Sequence, residues 1–188
     1  MRDELQQIRQ VLEEQIGRPS RWSGILEITS DPAVRGAKPF RCDIVLNESL
    51  AGQDVRWRTL IHEMLHTFSA GYNRTDFDQF PGWEEGVVEQ CQRLLRPSLL
   101  AALGVRVDEA VFQEVEATHL YNKYIDALEQ IRAHLSMEAE AFYLGLLAVP
   151  IRLRKGFAYG MGAALSGEER RRYWDTCSQG SAVLKEKL

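Results

Sequence analysis

Residues 59–68 read Thr-Leu-Ile-His-Glu-Met-Leu-His-Thr-Phe, a run whose one acid is Glu63 and whose other ionisable groups are His62 and His66. Leu60, Ile61, Met64, Leu65 and Phe68 recur at helical spacing, so a helix over residues 54–70, stopped by Gly71, carries them on a buried flank. A buried helix cannot leave three polar side chains unsatisfied. Residues four apart differ by about 40° around a helix and by one turn along it, so both imidazoles can reach one ion at roughly 2.0–2.1 Å from each nitrogen. Glu63 stands about 100° from His62, awkward for a ligand but within reach of a water on the same ion, where a general base belongs. With 4 histidines and 18 glutamates in 188 residues, the pattern arises by accident in about one such chain in a hundred. The plain alternative is a helix with two core or capping histidines.

Composition limits what surrounds that helix. The 23 basic and 27 acidic side chains leave a formal charge of −4 and a pI near 5.6, which argues against nucleic acid as the main partner. A 45% hydrophobic and 27% charged chain of this length builds one core, and any metal it binds serves chemistry more than folding. Cys42, Cys91 and Cys177 are odd in number, far apart and without a Cys-x-x-Cys pair, so no disulfide framework is expected and the cytoplasm is the expected compartment. The first residues lack the apolar core of a secretory signal. The longest apolar stretch, residues 141–151, is interrupted by Gly145 and Pro150, short of the ~20 residues a membrane span needs. No membrane partner is expected.

The remaining chain is expected to be α+β. Leu5, Ile8, Leu12 and Ile16 define an amphipathic helix over residues 4–16; residues 22–29 and 42–46 read as strands on either side of a turn-rich stretch. A loop over 71–81 leads to a helix over 82–95 that Pro97 should stop. Beyond it, Leu120, Tyr124, Ala127, Ile131 and Leu135 form one stripe in a helix over 108–135, and a buried helix over 137–149 ends at Pro150. Gly160-Met-Gly162 lacks both the preceding strand and the third glycine of a dinucleotide fingerprint, and Arg170-Arg171-Arg172 reads as a solvated helix face.

Trp83-Glu84-Glu85-Gly86-Val87-Val88-Glu89 offers further carboxylates, though by itself it reads as an acidic helix start. Joined to His62-Glu63-x-x-His66, the segment resembles the gluzincin metallopeptidases, the zinc proteases that include thermolysin and alanyl-aminopeptidase-like enzymes. The resemblance covers residues 55–90. It lies in the 18-residue gap from His66 to Glu85 and in Trp83-Glu84-Glu85-Gly86, which resembles the family's tryptophan-then-Glu-Gly signature with one residue between Trp83 and the glutamate, and which selects Glu85 over Glu84. It implies a zincin-like fold, Zn2+ held by His62, His66 and Glu85, and Glu89 hydrogen-bonded to the outer nitrogen of His62. It also implies that the strand at 42–46 is a sheet edge along which a peptide substrate lies.

Two histidines and a glutamate leave one position of a tetrahedral zinc for water, which implies an open catalytic site and peptide hydrolysis with Glu63 as base. Gluzincins add a downstream Tyr or His that donates to the oxyanion. Tyr121, at the edge of its helix's stripe, is the choice here over Tyr124, His119, Tyr143 and Tyr159, and His134 is given no role. The chain has no Gly-x-Met-Glu-Asn segment, which in the aminopeptidase branch binds the substrate's amino terminus, so an endopeptidase or dedicated processing protease acting on a peptide or protein substrate is expected. The alternative is a zincin-like protein-binding or regulatory domain with weak or no hydrolysis. The expected division is a zincin core over residues 1–97 with a helical C-terminal subdomain over 98–188 packed on it.

Overall fold

A computed structural model describes residues 1–40 and 43–188; Arg41 and Cys42, and with them the start of the strand expected at 42–46, lie outside the described residues. The chain is α+β and mostly helical, with a three-stranded sheet. It divides into two compact units, one made of residues 1–68 and 92–118, the other of residues 69–91 and 119–188.

In the first unit, helix α1 (Arg2–Ile16) buries Leu5, Ile8 and Leu12 against α2 (Arg56–His66) and ends at Gly17, whose φ of 72° directs its N–H back to the Glu13 carbonyl. Strands β1 (Leu26–Thr29), β2 (Gly36–Ala37) and β3 (Ile44–Asn47) lie in the order β1-β3-β2, with β1 parallel and β2 antiparallel to β3. The strand expected to be a sheet edge is therefore the central one. The outer strand that packs on α2 is β2, two residues inside the stretch read as turns. β1 begins four residues later than expected because Gly24, at φ 82°, interrupts the extended run, while Trp22 turns back to donate its Nε1 proton to the Ile25 carbonyl at 2.9 Å. Helix α2 also ends early. Thr67 and Phe68 close it with tight bonds to Met64 and Leu65, and the Thr67 hydroxyl donates to the Met64 carbonyl at 2.6 Å.

Helix α4 (Pro81–Ala102) supplies residues 92–102 to this unit and 81–91 to the other. It runs straight through Pro97, which was expected to stop it. Burial of Leu95, Leu99 and Leu100 outweighs the roughly 3 kcal/mol that an interior proline costs. Helix α5 (Ala110–Ala117) completes the unit and places Glu109 and Glu116 against the buried Arg96.

The second unit holds α3 (Arg74–Gln79), α6 (Asn122–Arg132), α7 (Ala139–Leu147), α8 (Ile151–Met161) and α9 (Gly167–Val183). The segment read as a loop over 71–81 contains α3 because the Asn73 side chain caps it, accepting from the Asp76 N–H at 3.0 Å. The single helix expected over 108–135 is two. Leu120, assigned to the stripe, is 69% exposed, and the Tyr121 N–H is taken by His119 Nδ1 at 3.3 Å, so the chain turns between α5 and α6. Tyr124, Ala127 and Ile131 are buried as the stripe required, and Gly82 and Gly86 of α4 let the Tyr124 side chain approach so closely that a Cβ on either would stand 2.5 or 2.7 Å from it. Pro150 ends the buried α7 region and caps α8. Gly160 and Gly162 fall in α8 and the 3-10 turn after it, with Gly162 pressed on the Tyr173 ring, and Arg171 and Arg172 lie on the exposed face of α9. Among the described residues no helix is long and apolar enough to cross a membrane.

Candidate metal centre

Ten consecutive residues of α2, Trp57 to His66, are buried, which is why its polar trio matters. His62 and His66 are one turn apart, and their Nε2 atoms stand 3.2 Å from each other with the rings at 79°. Two nitrogens bound at about 2.05 Å to a tetrahedral ion are about 3.3 Å apart, so the imidazoles are already spaced as a ligand pair. The same distance also suits an N–H···N hydrogen bond, in which one ring donates and the other accepts. Glu85, in the second turn of α4, supplies a third donor: His62, His66 and Glu85 are all buried, and one ligand atom from each lies within 4.8 Å of the others. Two imidazole nitrogens and a carboxylate oxygen form a set that could hold a metal ion.

Glu63 is buried with the backbone of β2 beside it: a Cβ built on Gly36 would lie 2.9 Å from Glu63 Oε1 and 2.6 Å from Thr59 Cγ2. Any larger residue there would have to push the Thr59 methyl group and the Glu63 carboxylate aside. Glu89, one turn beyond Glu85, is completely buried, so its carboxylate requires donors.

Tyr121 is half-buried at the start of α6 and lines, with Glu85, Phe77, Pro81 and Tyr124, a pocket of about 260 Å³. Its ring stacks on Tyr124 at 5.8 Å and meets His119 edge-on at 4.9 Å. Because His119 Nδ1 accepts the Tyr121 N–H, the neutral imidazole carries its proton on Nε2. Burial raises the pKa of Tyr124, and the charge of Glu85 adds to the rise. His134 is exposed, its Nε2 paired with the Thr176 hydroxyl at 3.0 Å.

Glu84 is held by residues that no local pattern links to it. Its carboxylate is fully buried, pairs with Arg154 at 2.9 Å and accepts the Ser69 hydroxyl at 2.6 Å. Arg154 is itself fully buried; it donates to the carbonyls of Trp83 and Val149 and, at 2.6 Å, to Ser69 Oγ. The signal available was weak: an arginine between apolar Leu153 and a lysine reads as a surface residue. Compared with family models, curated proteins and solved structures, the chain matches none.

Proposed function

We propose that this protein is a zinc-dependent peptidase of gluzincin type, an endopeptidase or dedicated processing protease that acts on a protein substrate in the cytoplasm. What supports the reading is the approach of one ligand atom each from His62, His66 and Glu85 to within 4.8 Å, in a chain where Glu63 follows the first histidine. Three protein ligands leave a tetrahedral ion one open position, the mark of catalytic rather than structural zinc. Held by His62, His66 and Glu85, zinc would supply Lewis acidity toward a scissile carbonyl and toward water near neutral pH.

The chain's own residues do the rest. Glu63 accepts the proton of the attacking water and delivers it to the leaving amine nitrogen. Glu89 accepts the outer N–H of His62, fixing the ring's tautomer and raising its basicity. Tyr121 donates a hydrogen bond to the carbonyl oxygen as negative charge develops on it, a role its place in the pocket with Glu85 supports. The extended substrate lies along β2, whose backbone passes Glu63 at Gly36.

Elemental analysis of the purified protein and of Glu63→Gln tests this. One zinc per chain is expected in both, with new protein N-termini generated in cells by the wild type and cut by a factor on the order of 10²–10⁴ in the variant. A wild type without zinc defeats the reading. Equal cleavage by Glu63→Gln defeats the mechanism, and stoichiometric zinc with no cleavage by the wild type favours the protein-binding alternative.

A further inference from the structure

We infer that Arg154 is a positioning residue for the metal centre: by clamping Trp83 and Glu84 it sets the bearing of Glu85 and withholds the neighbouring carboxylate from the ion. The inference rests on the zinc reading above. Glu84 and Glu85 are adjacent acids about 100° apart on one helix, both buried, and either is chemically able to bind zinc. A single guanidinium decides between them. Its Nη1 meets Glu84 Oε2 at 2.9 Å and the Trp83 carbonyl, its Nη2 meets Ser69 Oγ at 2.6 Å, and its Nε meets the Val149 carbonyl at 3.0 Å. The Ser69 hydroxyl donates a hydrogen bond to the same Glu84 oxygen at 2.6 Å. The start of α4 is thus tied through one planar group to the segment before α3 and to the end of α7.

Such a tie matters because a glutamate ligand reaches out about 6 Å from its helix axis. A rotation of about 10° moves its carboxylate by about 1 Å, and a productive site tolerates only about 0.5 Å. A matched pair of apolar side chains fills a buried space at comparable or better stability than an ion pair. What the Arg154–Glu84 pair adds is direction.

The experiment is a Zn2+ titration against a chromophoric chelator, using wild type, Glu84→Gln, Arg154→Lys and the double variant Arg154→Met/Glu84→Leu, with far-UV circular dichroism of each zinc-free protein. Glu84→Gln retains an acceptor for Arg154 but weakens the clamp, and should lower zinc affinity less than either arginine variant; a larger loss than theirs overturns the assignment to Arg154. The double variant relieves the buried charge and should fold, yet bind zinc about 10–100-fold more weakly, the usual effect of losing an outer support. Arg154→Lys keeps the charge without the planar fork and should fall on the same side. A folded double variant or a folded Arg154→Lys that binds zinc within twofold of wild type overturns the inference while leaving the zinc reading intact, since a role in core stability alone would not move the affinity. A wild type that binds no zinc overturns both.

Discussion

Two buried arginines, one in each unit, solve the same problem in opposite ways. Arg154 has no solvent exposure and faces one carboxylate, Glu84, which is equally buried. Arg96 is 2% exposed but faces two, Glu116 and Glu109, the second of which is 46% exposed, and its guanidinium lies over the Phe112 ring at 4.2 Å. Desolvation pulls both guanidinium pKa values down. For Arg96 the hydrogen bonds and charges of Glu116 and Glu109 more than reverse the effect, whereas for Arg154 the single carboxylate does not. An ion pair with an outlet to water is a brace whose parts can be rearranged. A sealed pair with hydrogen bonds in four directions holds one geometry.

That contrast predicts unequal costs. Arg154→Met leaves Glu84 buried with the Ser69 hydroxyl but without its cation, and should lower the unfolding free energy by about 3–5 kcal/mol. Urea midpoints measure it. Arg96→Met should cost less, about 1–2 kcal/mol, because Glu109 can turn into water and Glu116 keeps Arg58 and Arg93 at 3.9 Å. Part of that loss is the cation over Phe112, worth roughly 0.5–1 kcal/mol. Equal losses at the two positions would break the comparison.

The two networks also differ in how far the sequence reveals them. His62, Glu63 and His66 are legible because helical periodicity alone fixes which side chains share a face, and Glu85 is legible as part of a local pattern four residues long. The coarse α+β class was likewise readable from periodicity. Arg154 was not, since its partners Ser69, Trp83 and Glu84 lie far away along the chain and nothing local marks it as buried. Strand β2 has two residues, too few for an alternation to register, and its position as the outer strand displaced the strand at 44–47 to the middle of the sheet. Pro97 and Leu120 misled for a shared reason: local propensity and stripe membership were each overruled by packing, which kept the helix going at one and left the leucine in solvent at the other.

A third arginine pair extends the comparison toward water and should show the smallest effect. Arg56 donates from Nε and Nη2 to Glu4 at 3.0 and 2.9 Å, joining α2 to α1, with both side chains about one-fifth exposed. Burial by itself would raise the Glu4 pKa; the hydrogen bonds and charges of Arg56 and of the Met1 amino group, 3.0 Å from the other carboxylate oxygen, outweigh it and hold the carboxyl below its ordinary value of 4.5. A carboxyl depressed on folding contributes stability above its unfolded pKa and loses it as the pH falls through the folded value. Glu4→Gln keeps an acceptor for Arg56 and removes that titration. The stability lost between about pH 6 and about pH 3 should therefore be smaller in Glu4→Gln than in the wild type, by no more than the 0.2–1 kcal/mol or so that a partly exposed pair is worth. Unfolding curves at the two pH values give the double difference, and screening predicts that it shrinks further in about 1 M salt. If wild type and variant lose the same stability on acidification, the Arg56 pair carries no acid-linked stability, and the ranking of the three arginines by access to water fails at its exposed end.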